Sequence, residues 1–283
     1  MNMERIIIGT ASWRMEYGNS VKILTDKEVS ILVQYLCSNK INSFDTASAY
    51  GDVEKILFNQ INQGIKIDTK LSAFNNFEEF QELLNEKINL PINSLYFHDP
   101  NIFEKFSSKD VKKLTEAIEK NGFKAGFSIY NKETVNKNLQ FFKTEENTLQ
   151  APAHILDLTM LNEIFKLELK AKNVNFRSFF ARGLFFLNDK EIEEILGKNY
   201  HSIKNGFEDT YGMSFTSENA QNLSYSLINF LADLNFGCVV GLNSVTEINF
   251  FLKKCSVAHK LNINWHKIIS SSEKLIDIQK IQL

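Results

Sequence analysis

The stretch Asn42-Ser43-Phe44-Asp45-Thr46-Ala47-Ser48-Ala49-Tyr50-Gly51 decides how this chain reads. Ile41, Phe44 and the small residues around them suit a short strand on a buried surface. The strand gives way to small and polar residues, and a helix is predicted from about Tyr50 through Ile56 and Leu57. Asp45 then stands at the carboxyl end of a strand and Tyr50 at the start of the next helix. A carboxylate and a phenol reach one rim, and in α/β folds that rim is where ligands bind.

The same alternation extends outward in both directions. Strands are predicted over 5–10, 42–46, 65–70, 94–99, 124–129, 148–151, 174–179 and 238–241. Helices are predicted over 26–39, 50–57, 78–88, 110–121, 132–141, 156–173, 190–196, 218–235 and 246–259. The first of these carries Val29, Leu32, Val33 and Leu36 at helical spacing. It opens on a capping box, Thr25 with Glu28 three residues on. Eight strands alternating with helices over 283 residues point to an α/β fold of the (β/α)8 TIM-barrel type, with 1–283 as a single domain. A doubly wound sheet is the runner-up. It calls for a glycine-rich phosphate loop after the first strand, and Gly9-Thr10-Ala11-Ser12 carries no G-x-G-x-x-G.

Composition narrows the partners. The net charge of −2 gives no footprint for nucleic acid or an acidic membrane. The three cysteines, Cys37, Cys238 and Cys255, lie far apart with no C-x-x-C, so neither a metal site nor a disulfide framework is expected. Ile6-Ile7-Ile8 is too short an apolar run for a signal peptide, and no stretch approaches the roughly 18 apolar residues of a membrane helix. A cytoplasmic protein is expected, monomeric or a weak homo-oligomer. The 24 phenylalanines read mostly as core filler.

Four polar side chains fall at strand ends or just beyond: Asp45 and Tyr50 after the second strand, Lys70 at the end of the third, and His98 at the end of the fourth. Singly, each has a bland reading as a turn residue, a snorkelling lysine, a core histidine or a packing tyrosine. On three successive strands of a barrel they converge on one rim. A carbonyl that receives hydride develops negative charge on oxygen and needs a proton donor. A phenol, with an ordinary pKa of about 10, becomes a better donor near neutrality beside an ammonium. A carboxylate holds that ammonium, and an imidazole orients the carbonyl. Tyr50 would be the acid, Lys70 its tuner, Asp45 the partner of Lys70, and His98 the orienting group.

The order and spacing of these residues resemble the aldo-keto reductases, whose tetrad of Asp, Tyr, Lys and His occupies these strand ends. The resemblance covers nearly the whole chain. It implies NADPH or NADH as cofactor and a small-molecule carbonyl substrate. Gly9-Thr10-Ala11 resembles the first-strand segment against the cofactor. Gly126-Phe127-Ser128 is similar to the segment whose Ser contacts the nicotinamide carboxamide, and Leu149-Gln150-Ala151-Pro152 to the one whose Gln contacts the same amide. The run from Arg177 to Leu184, with Ser178, Phe179, Ala181 and Gly183, resembles the strand-seven loop that packs on the nicotinamide and covers the pyrophosphate. Gly241, Asn243, Ser244 and Glu247 fall in the segment that reaches the adenosine ribose. Trp13 matches a position that often supplies an aromatic wall for substrate, and 198–215 and the tail after Trp265 are expected to frame the pocket.

The chain departs from the family pattern at His154, where many members have Asn, at Glu247, and at Phe250-Phe251 near the adenine. The resemblance places Glu247 near a 2′-phosphate, with no positive charge before Lys253, so weak discrimination or a tilt toward NADH is expected. The reading is an NAD(P)H-dependent reductase acting on an aldehyde, ketone or keto-sugar. Two alternatives remain open: a cofactor-binding regulatory relative with little turnover, and a barrel lyase or epimerase that uses Lys70 as a Schiff-base amine.

Overall fold

A computed structural model describes residues 2–16, 23–60, 62, 64–99, 101–142, 147–258, 261–272 and 274–276. Eight parallel strands close into a barrel in sequence order. They are β1 (Ile6–Gly9), β2 (Ser43–Asp45), β3 (Lys66–Leu71), β4 (Ser94–Phe97), β5 (Lys124–Ser128), β6 (Thr148–Pro152), β7 (Val174–Arg177) and β8 (Gly237–Gly241). The last strand returns to the first, with Ile7 opposite Val239 and Gly9 opposite Gly241. Helices connect them: α1 (Ala11–Arg14), α2 (Asp26–Ser38), α3 (Val53–Phe58), α4 (Phe77–Asn85), α5 (Ile102–Lys105), α6 (Ser108–Lys120), α7 (Lys132–Lys137), α8 (Leu139–Phe142), α9 (Thr159–Lys166), α10 (Asp189–Leu196), α11 (Tyr200–Tyr211), α12 (Ser217–Asp233), α13 (Val245–Ala258) and α14 (Trp265–Ser270). The (β/α)8 barrel expected from the alternation is the observed fold.

Helix starts follow capping chemistry. Thr25 and Glu28 form the expected box at α2. Asn188 and Glu191 form a second one at α10. The side chains of Asn76, Asn131 and Asn264 accept a backbone N–H at the starts of α4, α7 and α14. Asn is a strong N-cap because its short side chain reaches back to a first-turn amide that has no helical partner.

Strand side chains alternate between the barrel interior and the helical layer. Outward, Phe97 and Phe127 pack ring to ring at 5.2 Å, and Phe103 stacks on Phe127 at 5.0 Å. Phe74, Phe80, Phe141 and Phe142 extend this cluster under α4, α7 and α8. Inward, Tyr96 and Asn175 meet across the barrel floor, the Asn175 amide donating to the Tyr96 hydroxyl at 3.0 Å. Both are accommodated by missing side chains. A Cβ on Gly126 would lie 2.5 Å from the Tyr96 ring, and one on Gly237 would overlap Asn175 Oδ1.

Several boundaries depart from the expectations. The helix expected from Tyr50 begins at Val53, because Gly51 turns the chain at φ 72° first. The expected 156–173 helix ends at Lys166, where Glu168 enters the left-handed region at φ 52°. The 132–141 segment is two helices, broken at Asn138. Residues 198–215, read as a loop, contain α11, whose Ile203 and Phe207 face the core. His259, at the end of the expected 246–259 helix, lies outside the described residues. No helix among the described residues is long and apolar enough to cross a membrane.

Candidate active site

One cavity of about 660 Å³ opens at the carboxyl end of the barrel. Every strand contributes to its floor: Gly9, Asp45, Lys70, His98, Ser128, Gln150, Arg177 and Gly241 all line it. They share a face because each is the last inward residue of its strand or lies just past it.

Lys70 and Asp45 form the most enclosed polar pair. The Lys70 ammonium donates to Asp45 Oδ1 and Oδ2 at 2.7 Å each and to the Thr46 carbonyl at 2.9 Å. Both side chains are at most 7% exposed. Adjacent strand ends bring them together: Asp45 pairs with Asp68 of β3 in register, and Lys70 lies two residues on. Gln150, from the far side of the floor, donates its amide to Asp45 Oδ1 at 2.8 Å. Its own Oε1 is buried in the cavity wall with no hydrogen-bond partner among the described residues.

Tyr50 reaches over this pair from the β2–α3 turn. Its ring centroid is 5.4 Å from Lys70 Nζ. His98 meets the same ring edge to face, 6.1 Å between centroids. The turn is fixed from outside by Arg14, whose Nε lies 3.0 Å from Asp52 Oδ1. Burial, and then the charge of Lys70, hold the His98 pKa below the ordinary histidine value, so the imidazole stays neutral near neutral pH. Neutral imidazole offers one N–H and one lone pair, which suits a hydrogen bond to a carbonyl.

The upper wall comes from the β7 loop and α13. Ser178, Ala181 and Arg182 all sit at positive φ, 68°, 51° and 58°, in the region L-residues rarely occupy. Each costs of order 1 kcal/mol, and α12 holds them there. Its Ser224 hydroxyl donates to the Phe179 carbonyl at 3.1 Å and its Gln221 amide to the Phe185 carbonyl at 2.8 Å. At the other end, Asn243 N–H donates to Glu247 Oε2 at 2.9 Å, which leaves that carboxylate on the cavity wall at the start of α13.

Phe179 and Gly183 also reach the cavity. Thr10, Ala181 and Ser244 do not line it. Thr10 donates through N–H and hydroxyl to the Asp45 carbonyl, at 3.0 and 3.1 Å, Ala181 is buried, and Ser244 Oγ accepts the Glu247 N–H. Trp13, expected as a substrate wall, is fully buried. It packs on Phe44 and donates its indole N–H to the Leu242 carbonyl at 2.9 Å, which turns the ring inward, away from the cavity. Residues 198–215 and the described part of the tail stand clear of the cavity as well. The Tyr211 hydroxyl donates instead to the Ile155 carbonyl at 2.6 Å. Tyr130, Phe180, Phe186 and Tyr225 line the cavity without having been singled out. Phe180 lay within a quoted motif; Tyr225 is in mid-helix, where only packing distinguishes it from core.

No family model matches this sequence and no curated protein matches it. Solved structures do. A Pseudomonas aeruginosa protein described as a candidate aldo-keto reductase is similar with a TM-score of 0.63 at 14% identity, covering 90% of this chain and 91% of that one. An aldo-keto reductase from a Medee basin deep-sea metagenome library gives 0.58 at 12% identity, over 98% and 93%. An aldo-keto reductase from Klebsiella pneumoniae, in complex with NADPH, gives 0.58 at 11% identity, over 93% and 88%. At these identities the likeness is one of fold: the barrel is built as aldo-keto reductase barrels are built, over nearly the whole chain.

Proposed function

We propose that this protein is an NAD(P)H-dependent oxidoreductase of the aldo-keto reductase type, reducing an aldehyde or ketone carbonyl to an alcohol. The observation that carries the reading is the buried Asp45–Lys70 pair beneath Tyr50, with Lys70 Nζ 5.4 Å from the phenol ring centroid and His98 edge to face with that ring. The residues fit a nicotinamide cofactor on one structural ground. Gln150 Oε1 is a buried acceptor with no partner among the described residues, suited to a carboxamide N–H, and Ser128 stands on the neighbouring strand of the same wall. When bound, the reduced cofactor supplies hydride to the carbonyl carbon.

The chain's own residues do the rest. His98 hydrogen-bonds the carbonyl oxygen and orients it. Tyr50 gives its hydroxyl proton to that oxygen as charge develops there. The Lys70 charge stabilises the phenolate left behind, which regains a proton from solvent. Asp45, steadied by Gln150, keeps Lys70 in place beneath the phenol. General acid assistance of this kind contributes roughly 10²- to 10⁴-fold. A Schiff-base role for Lys70 sits badly with its geometry. All three ammonium protons are engaged, whereas an amine nucleophile must present a lone pair.

The test is oxidation of NADH and NADPH by the purified protein against a panel of aldehydes, ketones and keto-sugars. Turnover that collapses in Tyr50→Phe supports the reading. Cofactor binding with no turnover on any member would favour the regulatory alternative.

A further inference from the structure

Two cations stand on the cavity floor, and among the described residues only one meets a carboxylate. Lys70 is paired with Asp45. Arg177, across the barrel at the end of β7, makes only long contacts, Nη1 to Ser178 Oγ at 3.3 Å and Nη2 to the Ile129 carbonyl at 3.4 Å. Among the described residues no carboxylate pairs with it. Its guanidinium carbon lies 4.2 Å from the Tyr130 ring centroid. Stacking takes one face of the plane and fixes its orientation, while the N–H edge remains for a ligand. Because Ile129 and Tyr130 follow β5, the guanidinium reaches from β7 past β6 to the neighbourhood of His98. Its charge is among those that lower the His98 pKa. The cavity's other acid, Glu247, is already engaged at the start of α13.

An unneutralised, pre-oriented guanidinium in a half-buried cavity is a binding site for a planar oxyanion. We propose that Arg177 anchors a carboxylate on the substrate, so that the substrates of this site are oxo acids, aldehydes or ketones carrying a carboxylate a few bonds from the carbonyl. The choice of substrate rests on the reductase reading; the anion site itself does not. A cofactor phosphate is the other source of the same chemistry, and the experiment separates the two.

Turnover is compared on para-carboxybenzaldehyde and its methyl ester, which share the reacting carbonyl and differ in charge. The acid should exceed the ester in kcat/KM by about tenfold or more, a difference of roughly 1.4 kcal/mol. Its KM should rise with ionic strength while the ester's does not. Arg177→Met should bring the acid-to-ester ratio toward one through KM for the acid. Arg177→Lys, which keeps the charge but loses the fork, should give an intermediate ratio. In parallel, dissociation constants for NADH and NADPH are measured by fluorescence quenching. A wild-type ratio near one with no salt dependence overturns the proposal, whether or not the variants fold. So does an Arg177→Met variant that weakens both cofactors more than about tenfold and leaves the ratio intact, since the guanidinium would then serve the cofactor. If no carbonyl compound is turned over, the reductase reading falls and binding of benzoate against benzamide decides the anion site. A benzoate preference lost in Arg177→Met upholds it, and equal binding overturns it.

Discussion

Lys70, Tyr50 and His98 make the residue-scale argument, and for Lys70 the position excludes a simpler role. A snorkelling lysine would send its ammonium to solvent; that of Lys70 is buried and fully hydrogen-bonded. Tyr50→Phe is expected to lower turnover by at least about 10²-fold with little change in the cofactor dissociation constant, as measured by steady-state kinetics and quenching; near-wild-type turnover would remove Tyr50 as the proton donor. His98 gives a pH prediction. Its pKa in the fold is depressed, so its contribution to stability is present above the unfolded value of about 6.5 and is lost as pH falls through the lower folded value. Catalysis that needs the neutral ring fails over the same descent. NMR titration of the ring should give a midpoint below about 6.5, and the acid limb of kcat/KM should move in His98→Gln. A midpoint at or above that value would contradict the neutral-imidazole role. These residues were legible in the sequence because strand ends announce themselves through apolar runs. Arg177 was legible as part of a motif, but that no carboxylate among the described residues pairs with it was not, since pairing depends on what other strands bring near.

At the scale of elements, the reductase reading puts cofactor choice on the β8–α13 junction. Glu247 faces the cavity while tied to Asn243 N–H, and a fixed carboxylate repels a 2′-phosphate while accepting a hydrogen bond from a ribose hydroxyl. NADH should bind at least as tightly as NADPH, and Glu247→Gln should improve NADPH more than NADH. An NADPH preference above about tenfold in the wild type, roughly 1.4 kcal/mol, would show that another cation covers the phosphate. Strands and long helices were legible here because periods of two and 3.6 are written in apolar residues. The α11 helix was missed although Ile203, Phe207 and Tyr211 repeat at fours, the spacing of one helical face. Trp13 was misplaced for a different reason: nothing in its neighbours tells whether an aromatic after a strand turns toward the cavity or under it, and a hydrogen bond to the distant Leu242 settles that. The floor of the barrel depends on its glycines, and Gly237→Ala should lower stability by more than about 3 kcal/mol, beyond ordinary overpacking, in denaturant unfolding, since the new methyl would overlap the Asn175 amide.

At the scale of the whole molecule, the candidate site occupies the carboxyl end of the barrel, and Asp68 does not line it. Desolvation raises its pKa against the hydrogen bond from Asn93, 2.9 Å from Oδ1. A raised folded pKa means that its contribution to stability is present below the unfolded value of about 3.9 and is lost as pH climbs through the folded one. Asp68→Asn keeps an acceptor for Asn93 and should raise the thermal midpoint near pH 7 more than near pH 4. An equal shift at both would deny the titration. The interlock of Gly237 with Asn175 carries a last consequence, for descent rather than for chemistry. Asn175 can shrink to Ala at the cost of a cavity and of the donor to Tyr96, about 1–3 kcal/mol, and a methyl gained at residue 237 then meets only the flexible tip of Ile7. Taken in the reverse order, the first step drives a carbon into an amide oxygen. A lineage bearing this floor can therefore leave it by way of residue 175 and not by way of residue 237, so the history of substitutions at the two positions has a direction that the folded barrel imposes.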